Sequence, residues 1–336
     1  MMRLRIITRS IMIDDLRPSS LDDFGGQDDL VRELRVVLNA AIERGELTDH
    51  ICFAGPPGLG KTTLAGIIAN ELKLPIHVTS GPALEKPSDV VSLLSGLRSS
   101  SVVFIDEIHR LPRACEEILY PAMEDGLLDI VVGEGAKTRT VRLPLPKFVL
   151  IGATTQIGLL SSPFRDRFGF VGRVKLYTND HLAKIVSRSA AILDMNVTLE
   201  GSYLIASRSR GTPRVANKWL RRVRDWAQLQ GHDVVDEVVA NAALGVFGVD
   251  AVGLDSLGRE LLITLIQSFG GGPVGLSTLA AALGETTNTI EEVYEPFLMR
   301  QGFLMRTPRG RMATVAACEH LGIEVPSKLL GGSENS

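Results

Sequence analysis

The sequence predicts an α/β fold, a parallel sheet flanked by helices, followed by a helical region and a C-terminal winged helix. Three observations point to it. Up to about residue 175, apolar β-rich runs alternate with stretches of helical period, as in strands joined by crossover helices. From Asn179 to about Val249 the pattern turns helical throughout. From Leu254 it reads helix, turn, helix and then a short basic hairpin. At 336 residues the chain exceeds the usual size of one core, so two or three domains are expected.

The opening, MMRLRIITRSIMIDD, is basic as far as Arg9 but lacks the apolar core and small-residue cleavage site of a targeting segment. Residues 1–15 read as a variable tail, with Met12 an alternative start. Asp28–Arg44 has helical period, and Ile51–Ala54 is the first strand. The stretch FAGPPGLGKTTL follows, in which Gly55 to Thr62 satisfies G-x-x-x-x-G-K-[ST], the phosphate-cradling P-loop. Gly58 and Gly60 let the backbone turn its N–H groups inward, and the helix Lys61–Leu72 adds the positive end of its dipole. Lys61 reaches the β- and γ-phosphates, Thr62 is placed to ligate Mg²⁺, and Thr63 offers a hydroxyl and an N–H to the phosphates. A plain Gly-Pro turn would need neither this spacing nor a strand and a helix on either side.

Ile76–Thr79 reads as a strand, Pro87–Leu97 as a helix and Val102–Ile105 as a strand that ends, in SVVFIDEIHRL, on Asp106-Glu107. An acid at the carboxyl end of a strand beside the P-loop strand can hold Mg²⁺ through water, the role of Asp106, while Glu107 is placed to polarise the attacking water. Such a pair is commonly just a strand entering solvent, but here it comes one βα unit after the P-loop. Arg113–Met123 is the next helix. Asp129 to Pro146, DIVVGEGAKTRTVRLPLP, pairs two β-branched arms across a Gly-rich turn at Gly133–Ala136, a hairpin. Its Val131, Val132 and Val141 are too apolar for solvent unless a partner covers some of them. The strand Phe148–Ala153 ends in Thr154-Thr155, where a polar group can sense a γ-phosphate or the attacking water. The short helix Phe164–Arg167 supplies Arg165 and Arg167, Gly172–Leu176 closes the sheet, and GTPRVANKWL sets Arg214 at a later helix start. A guanidinium neutralises charge on a transferring phosphoryl group, so Arg214 and either Arg165 or Arg167 can couple hydrolysis to motion between domains or subunits.

The C-terminal helices are Leu254–Phe269, Leu276–Leu283 and Thr289–Gln301, with Gly302–Thr314 as the wing. The third carries Glu291, Glu292 and Glu295, which phosphates repel, and Pro296 interrupts it. The wing holds Arg306, Arg309 and Arg311, so charge selects it as a phosphate contact of weak sequence dependence. Trp219 and Trp226, beside Arg221, Arg222 and Arg224, read as helix core and subunit interface rather than as a base-stacking platform. The net charge of −3 advertises no polycation, so a nucleic-acid site has to be a local patch. Cys52, Cys115 and Cys318 show no C-x-x-C spacing and fit buried thiols in a reducing cytoplasm, without disulfide or metal. No apolar run reaches the ~18–20 residues of a membrane span, so a soluble chain is expected.

Taken in order, LRPSSLDDFGGQ, GPPGLGKTTLA, TSGPALEKPSD, FIDEIHRL, LYPAMEDGLLDIVVGEG, GATTQIGLLSSPFRDRFG, SRSRGTPRVANKWLRRVRDWA, FGGGPVGLSTLAAALGE and RTPRGRMAT make the chain from about Leu16 to Gly322 resemble the RuvB family, hexameric AAA+ motors of Holliday-junction branch migration. The resemblance implies a large AAA+ ATPase domain over 16–178, a helical lid over 179–251 and a winged-helix DNA-binding domain over 252–325; beyond it, 326–336 reads as a disordered tail from the polar Gly/Ser composition of Gly331–Ser336. It implies ATP with Mg²⁺, Leu16, Arg17 and Tyr177 on the adenine side, and nucleotide contacts from Glu124-Asp125-Gly126, where the family commonly carries an aromatic residue at the position of Gly126. It favours Arg167 as the finger that completes a neighbouring subunit's site and makes Arg214 a sensor that reports nucleotide to the lid. Its implied partners are double-stranded DNA at Holliday junctions, RuvA through the hairpin at 129–146, and a RuvC-like resolvase, in cytoplasmic recombination, DNA repair and the SOS response. A AAA+ switch that remodels a protein partner without moving along DNA is the other class these motifs allow, although it has no need of a basic wing.

Overall fold

A computed structural model describes residues 16–132 and 139–330; the N-terminal tail, the turn Gly133–Ala136 and residues 331–336 lie outside the described residues. The chain divides into two compact units between His181 and Leu182.

In the first unit, α1 (Asp28–Arg44) forms as its period requires, with Asp28 and Asp29 in the first turn and a left-handed Gly45 at its end. Leu30, Leu34, Leu38 and Ala41 are its buried stripe. Then follow β1 (Ile51–Ala54), α2 (Lys61–Glu71), β2 (Ile76–Ser80), α3 (Pro87–Ser95), β3 (Ser101–Asp106), α4 (Arg113–Asp125), the hairpin β4 (Leu127–Val132) and β5 (Arg139–Pro144), β6 (Phe148–Thr154), α5 (Ser162–Arg165) and β7 (Phe170–Arg173). The main sheet is parallel, in the order β2-β3-β6-β1-β7. Strands β1, β3 and β6 are buried almost throughout, as central strands covered on both faces must be, whereas β2 and β7 are half-exposed edges.

Three local expectations are corrected. The acid-bearing strand is not beside the P-loop strand: β6 lies between them, paired to β3 on one side and β1 on the other. Strand order is set by pairing, and the chain returns through α4 and the hairpin into the gap between β3 and β1. The last strand is Phe170–Arg173 rather than 172–176, because Phe170 pairs with Ile51 and the chain leaves the ladder after Val174 N–H bonds to the Ala54 carbonyl. The Gln27 side chain then holds Lys175, accepting its N–H and donating to its carbonyl. Helix α5 starts earlier than expected because Pro163 at its first turn fixes φ there, which leaves Arg167 beyond the helix end.

The second unit comprises α6 (Asn179–Ile192), entered at its first turn, β8 (Asn196–Val197), α7 (Leu199–Ser207), α8 (Pro213–Gln230), β9 (Val234–Val235) and α9 (Glu237–Val246). It continues with α10 (Ser256–Ile263), α11 (Leu276–Leu283), α12 (Glu295–Arg300), the hairpin β10 (Leu304–Thr307) and β11 (Gly310–Ala313), α13 (Val315–Leu321) and α14 (Ser327–Leu330). The last group shares a core of Leu261, Leu265, Leu279, Phe297 and Leu304. The two helices read as continuous from sequence are each part π-turn, at Thr264–Ser268 and Thr289–Tyr294. Pro296 follows the second π-turn directly, in the first turn of α12, and the π-turn marks where the regular i→i−4 ladder is interrupted. Buried Arg210 joins the stretches on either side of residue 251: its Nε donates to the Gly253 carbonyl at 2.7 Å, it pairs with Asp255 at 3.1 Å, and its own carbonyl accepts from Arg300 at 2.9 Å.

Cys52, Cys115 and Cys318 are free and buried, and burial pushes the Cys52 thiol up to about 12. Among the described residues no helix is long and apolar enough to cross a membrane.

Candidate functional site

The P-loop leaves the carboxyl end of β1 with Gly55, Gly58 and Gly60 all at positive φ, 152°, 79° and 100°. A side chain at Gly55 would collide with the Val174 carbonyl, and one at Gly60 would press the Phe24 ring at 3.1 Å. Glycine is thus required both by angle and by space. Lys61, 6% exposed, donates from Nζ to the Gly55 and Pro56 carbonyls at 2.7 and 2.9 Å, which holds its charge against the loop. Tyr177 is buried, donates to the Leu59 carbonyl at 3.3 Å and packs its ring where only Gly26 leaves room. Leu16 is buried and Arg17 exposed in the segment that precedes these contacts. Phe24, Gly26 and Gln27 therefore build the wall beside the P-loop, a function the sequence shows only as the compact string FGGQ.

The sheet order brings the ends of β1, β6 and β3 together. Ala54 is level with Thr154, and Gly152 with Ile105, so Thr154 and Thr155 stand between the P-loop and Asp106-Glu107. Asp106 Oδ1 accepts the Glu107 N–H at 3.0 Å. Glu107 has left-handed backbone, φ 49°, uncommon for a residue with a side chain and a mark of a constrained site. Its carbonyl abuts Gly81, where a Cβ would collide with it. His109 lies between Glu107 Oε2, 3.5 Å from Nε2, and Thr154 Oγ1, 3.0 Å from Nδ1. His109 is not legible as a site residue from the sequence, where its spacing two residues after Glu107 is the one available signal. Thr155 Oγ1 is buried and has no hydrogen-bond partner among the described residues.

These residues fit a magnesium nucleotide. Oxygen donors of the hard kind, the Thr62 hydroxyl and the Asp106 carboxylate, suit Mg²⁺; the glycine cradle suits phosphates, and the orphaned Thr155 hydroxyl faces an unmet bond.

Arg167 and the Glu124-Asp125-Gly126 turn come together elsewhere. Arg167 Nη2 pairs with Glu124 Oε2 at 2.7 Å, and Gly126 is the left-handed cap of α4. No side chain exists at Gly126 to make the contact an aromatic residue would. His50 anchors this end of the sheet, accepting the Leu150 N–H at Nδ1 and donating from Nε2 to the Met123 carbonyl, and burial holds its pKa below the ordinary imidazole value. Arg165 ends α5 and makes no ion pair among the described residues.

In the second unit, Arg214 is exposed in the first turn of α8, the positive end of that helix dipole, where its own helix does not stabilise its charge. Trp219 is buried, and Trp226 stacks on His232 at 5.4 Å. The wing departs from the simple charge contrast expected of it. Arg311 binds buried Glu295 through Nε at 2.6 Å and Nη2 at 3.2 Å, and Arg306 pairs with Glu291 and, at 3.7 Å, with Glu295. The acidic helix thus neutralises much of the wing's charge, because the hairpin packs on it. Arg309, at the exposed tip between β10 and β11, makes no ion pair among the described residues. On the β4–β5 hairpin, Val141 is 40% exposed and Leu143 37%.

Residues 16–174 match the family model of the Holliday junction DNA helicase RuvB P-loop domain, 177–250 that of the RuvB AAA lid domain and 251–322 that of the RuvB C-terminal winged helix domain. The Holliday junction branch migration complex subunit RuvB of Limosilactobacillus reuteri is 54% identical over 312 residues, 93% of this chain and 92% of that protein. A solved mutant of Thermotoga maritima RuvB superposes with a TM-score of 0.85 at 47% identity, covering 92% of this chain and all of that one. The Thermotoga maritima RuvB Holliday junction branch migration motor superposes with a TM-score of 0.83 at 47% identity, covering 93% and 99%.

Proposed function

The chain belongs to the RuvB family, and from that premise we infer that it drives branch migration of Holliday junctions, coupling ATP hydrolysis to the movement of DNA. It is an AAA+ P-loop ATPase. The observation that carries the reading is the succession, in one chain, of the P-loop site, a lid and a winged helix, each matching the corresponding RuvB domain.

ATP is held by Gly58, Gly60, Lys61, Thr62 and Thr63, with Leu16, Arg17 and Tyr177 at the base. Mg²⁺, bound through Thr62 and Asp106, would neutralise phosphate charge in the transition state. Glu107 polarises the attacking water and the Thr155 hydroxyl senses the γ-phosphate. Arg214 reports nucleotide to the lid. Arg167, with Glu124 and Asp125, serves the site of the next subunit in a hexameric ring. The wing contacts double-stranded DNA through phosphates, Arg309 first and Arg306 and Arg311 to the extent that Glu291 and Glu295 release them. The exposed Val141 and Leu143 support the hairpin at 129–146 as the contact for a RuvA-like junction-binding protein, in a cytoplasmic recombination and repair complex that includes a RuvC-like resolvase and answers to the SOS response.

The test is branch migration of a synthetic four-way junction by the purified protein with its junction-binding partner and ATP. Movement that needs both proteins and hydrolysis is expected. DNA-independent ATPase activity with no movement of the junction would favour the protein-remodelling switch instead.

A further inference from the structure

We propose that His109 is a positioning residue for hydrolysis, linking the Glu107 carboxylate to the end of β6 that carries Thr155. The link rests on Glu107 being the group that polarises water. Thr154 is fully buried, and its Oγ1 accepts the Gln156 N–H at 3.0 Å. Its own hydroxyl proton has one acceptor among the described residues, His109 Nδ1 at 3.0 Å. If Nδ1 carried the proton instead, the Thr154 hydroxyl hydrogen would be left unbonded in the core, a cost that buried polar groups avoid. Nδ1 is therefore the acceptor, and the neutral imidazole carries its proton on Nε2, which faces Glu107 Oε2 at 3.5 Å.

The two hydrogen bonds then run in one direction, Gln156 N–H to Thr154 and Thr154 O–H to His109, and they leave His109 Nε2–H facing Glu107 Oε2 across a 3.5 Å contact. At the far end the Glu107 backbone has little freedom, since it is left-handed, its carbonyl accepts the Arg110 N–H at 2.9 Å, and Gly81 is packed against that carbonyl. The His109 ring, 5% exposed, meets the Glu107 side chain. A shift of the β6 end on contact between Thr155 and phosphate would thus reach the water-polarising carboxylate through His109.

The test uses steady-state ATPase kinetics of the full-length protein with its partner and junction DNA. Asn places its amide where Nδ1 stands and keeps Thr154; Gln places its amide where Nε2 stands and keeps Glu107. His109→Asn is expected to lower kcat by about tenfold or more with KM for ATP little changed, and His109→Gln to lower it less. Thr154→Val is expected to lower kcat as well, and the double variant His109→Asn with Thr154→Val to lose no more than the worse single one, as for members of one chain. Thr154→Ser, which keeps the hydroxyl, retains the parent rate. Parent-like kcat in His109→Asn, or losses that multiply independently in the double variant, would overturn the proposal. Glu107→Gln, run in parallel, separates the two levels. If it turns over at the parent rate, the role of Glu107 itself fails; if it is inactive while His109→Asn is fully active, only the link fails.

Discussion

Arg167→Ala removes the guanidinium assigned to a neighbouring subunit's phosphates, and the strand register gives the reason its own P-loop is out of reach. Phe170 pairs with Ile51, the first residue of β1, whereas the P-loop begins after Ala54, the last. Three strand steps of about 3.3 Å put roughly 10 Å of sheet between those ends. Arg167 lies further back along the chain, held by Glu124 at 2.7 Å. An arginine finger is worth about 10³–10⁵ in kcat, so Arg167→Ala should bind ATP yet hydrolyse it at least about a thousandfold more slowly. Lys61→Ala should instead lose nucleotide affinity, because the lysine meets phosphate in the ground state too. Mixed in equal amounts and assembled at random in a head-to-tail ring, the two variants give roughly a quarter of the interfaces an intact P-loop facing an intact finger. ATPase activity followed across mixing ratios should rise from two near-zero ends to a maximum near equal amounts. A flat titration, with co-assembly shown by native mass measurement, refutes a finger acting in trans.

Glu107→Gln should keep ATP binding and trap a nucleotide-loaded assembly while hydrolysis falls by about 10²–10⁴, read by single-turnover kinetics; parent-like turnover sinks the assignment. In the wing, Arg309→Ala should leave thermal stability unchanged and flatten the logarithmic salt dependence of duplex binding by about 0.9, similarly on unrelated sequences. An unchanged slope moves the DNA contact away from the wing tip. Arg311→Ala should destabilise the second unit by on the order of 3 kcal/mol in urea unfolding, since it leaves buried Glu295 without its bidentate partner. An unchanged midpoint would show the pair to be dispensable. His50 is buried neutral, its pKa lowered by burial, so it contributes stability above the ordinary imidazole value of about 6.5 that is lost as pH falls through the folded-state value. Stability of the parent should decline below that point more steeply than that of His50→Gln; parallel pH profiles would contradict the assignment.

The sequence by itself determined the fold class, the P-loop pattern, the strand that ends on the acid pair, and the helical and winged regions. These are local patterns: glycines at positive φ, apolar runs ending in acids, and the period of a buried stripe are written in neighbouring residues. The bounds of α1, β1 and α11 followed for the same reason. Tertiary structure alone decided the rest. That β6 separates β1 from β3 depends on long-range pairing, and this insertion is what sets the threonines between P-loop and acids. That His109 bridges Glu107 and Thr154, and that Arg167 meets Glu124, depends on side chains far apart in sequence. The wing shows the limit most plainly, because charge read along the chain sees free arginines, while packing sets Arg306 and Arg311 against Glu291 and Glu295. Counting charges along a chain cannot reveal which of them neutralise one another, since that depends on distance and burial, which only the folded chain defines.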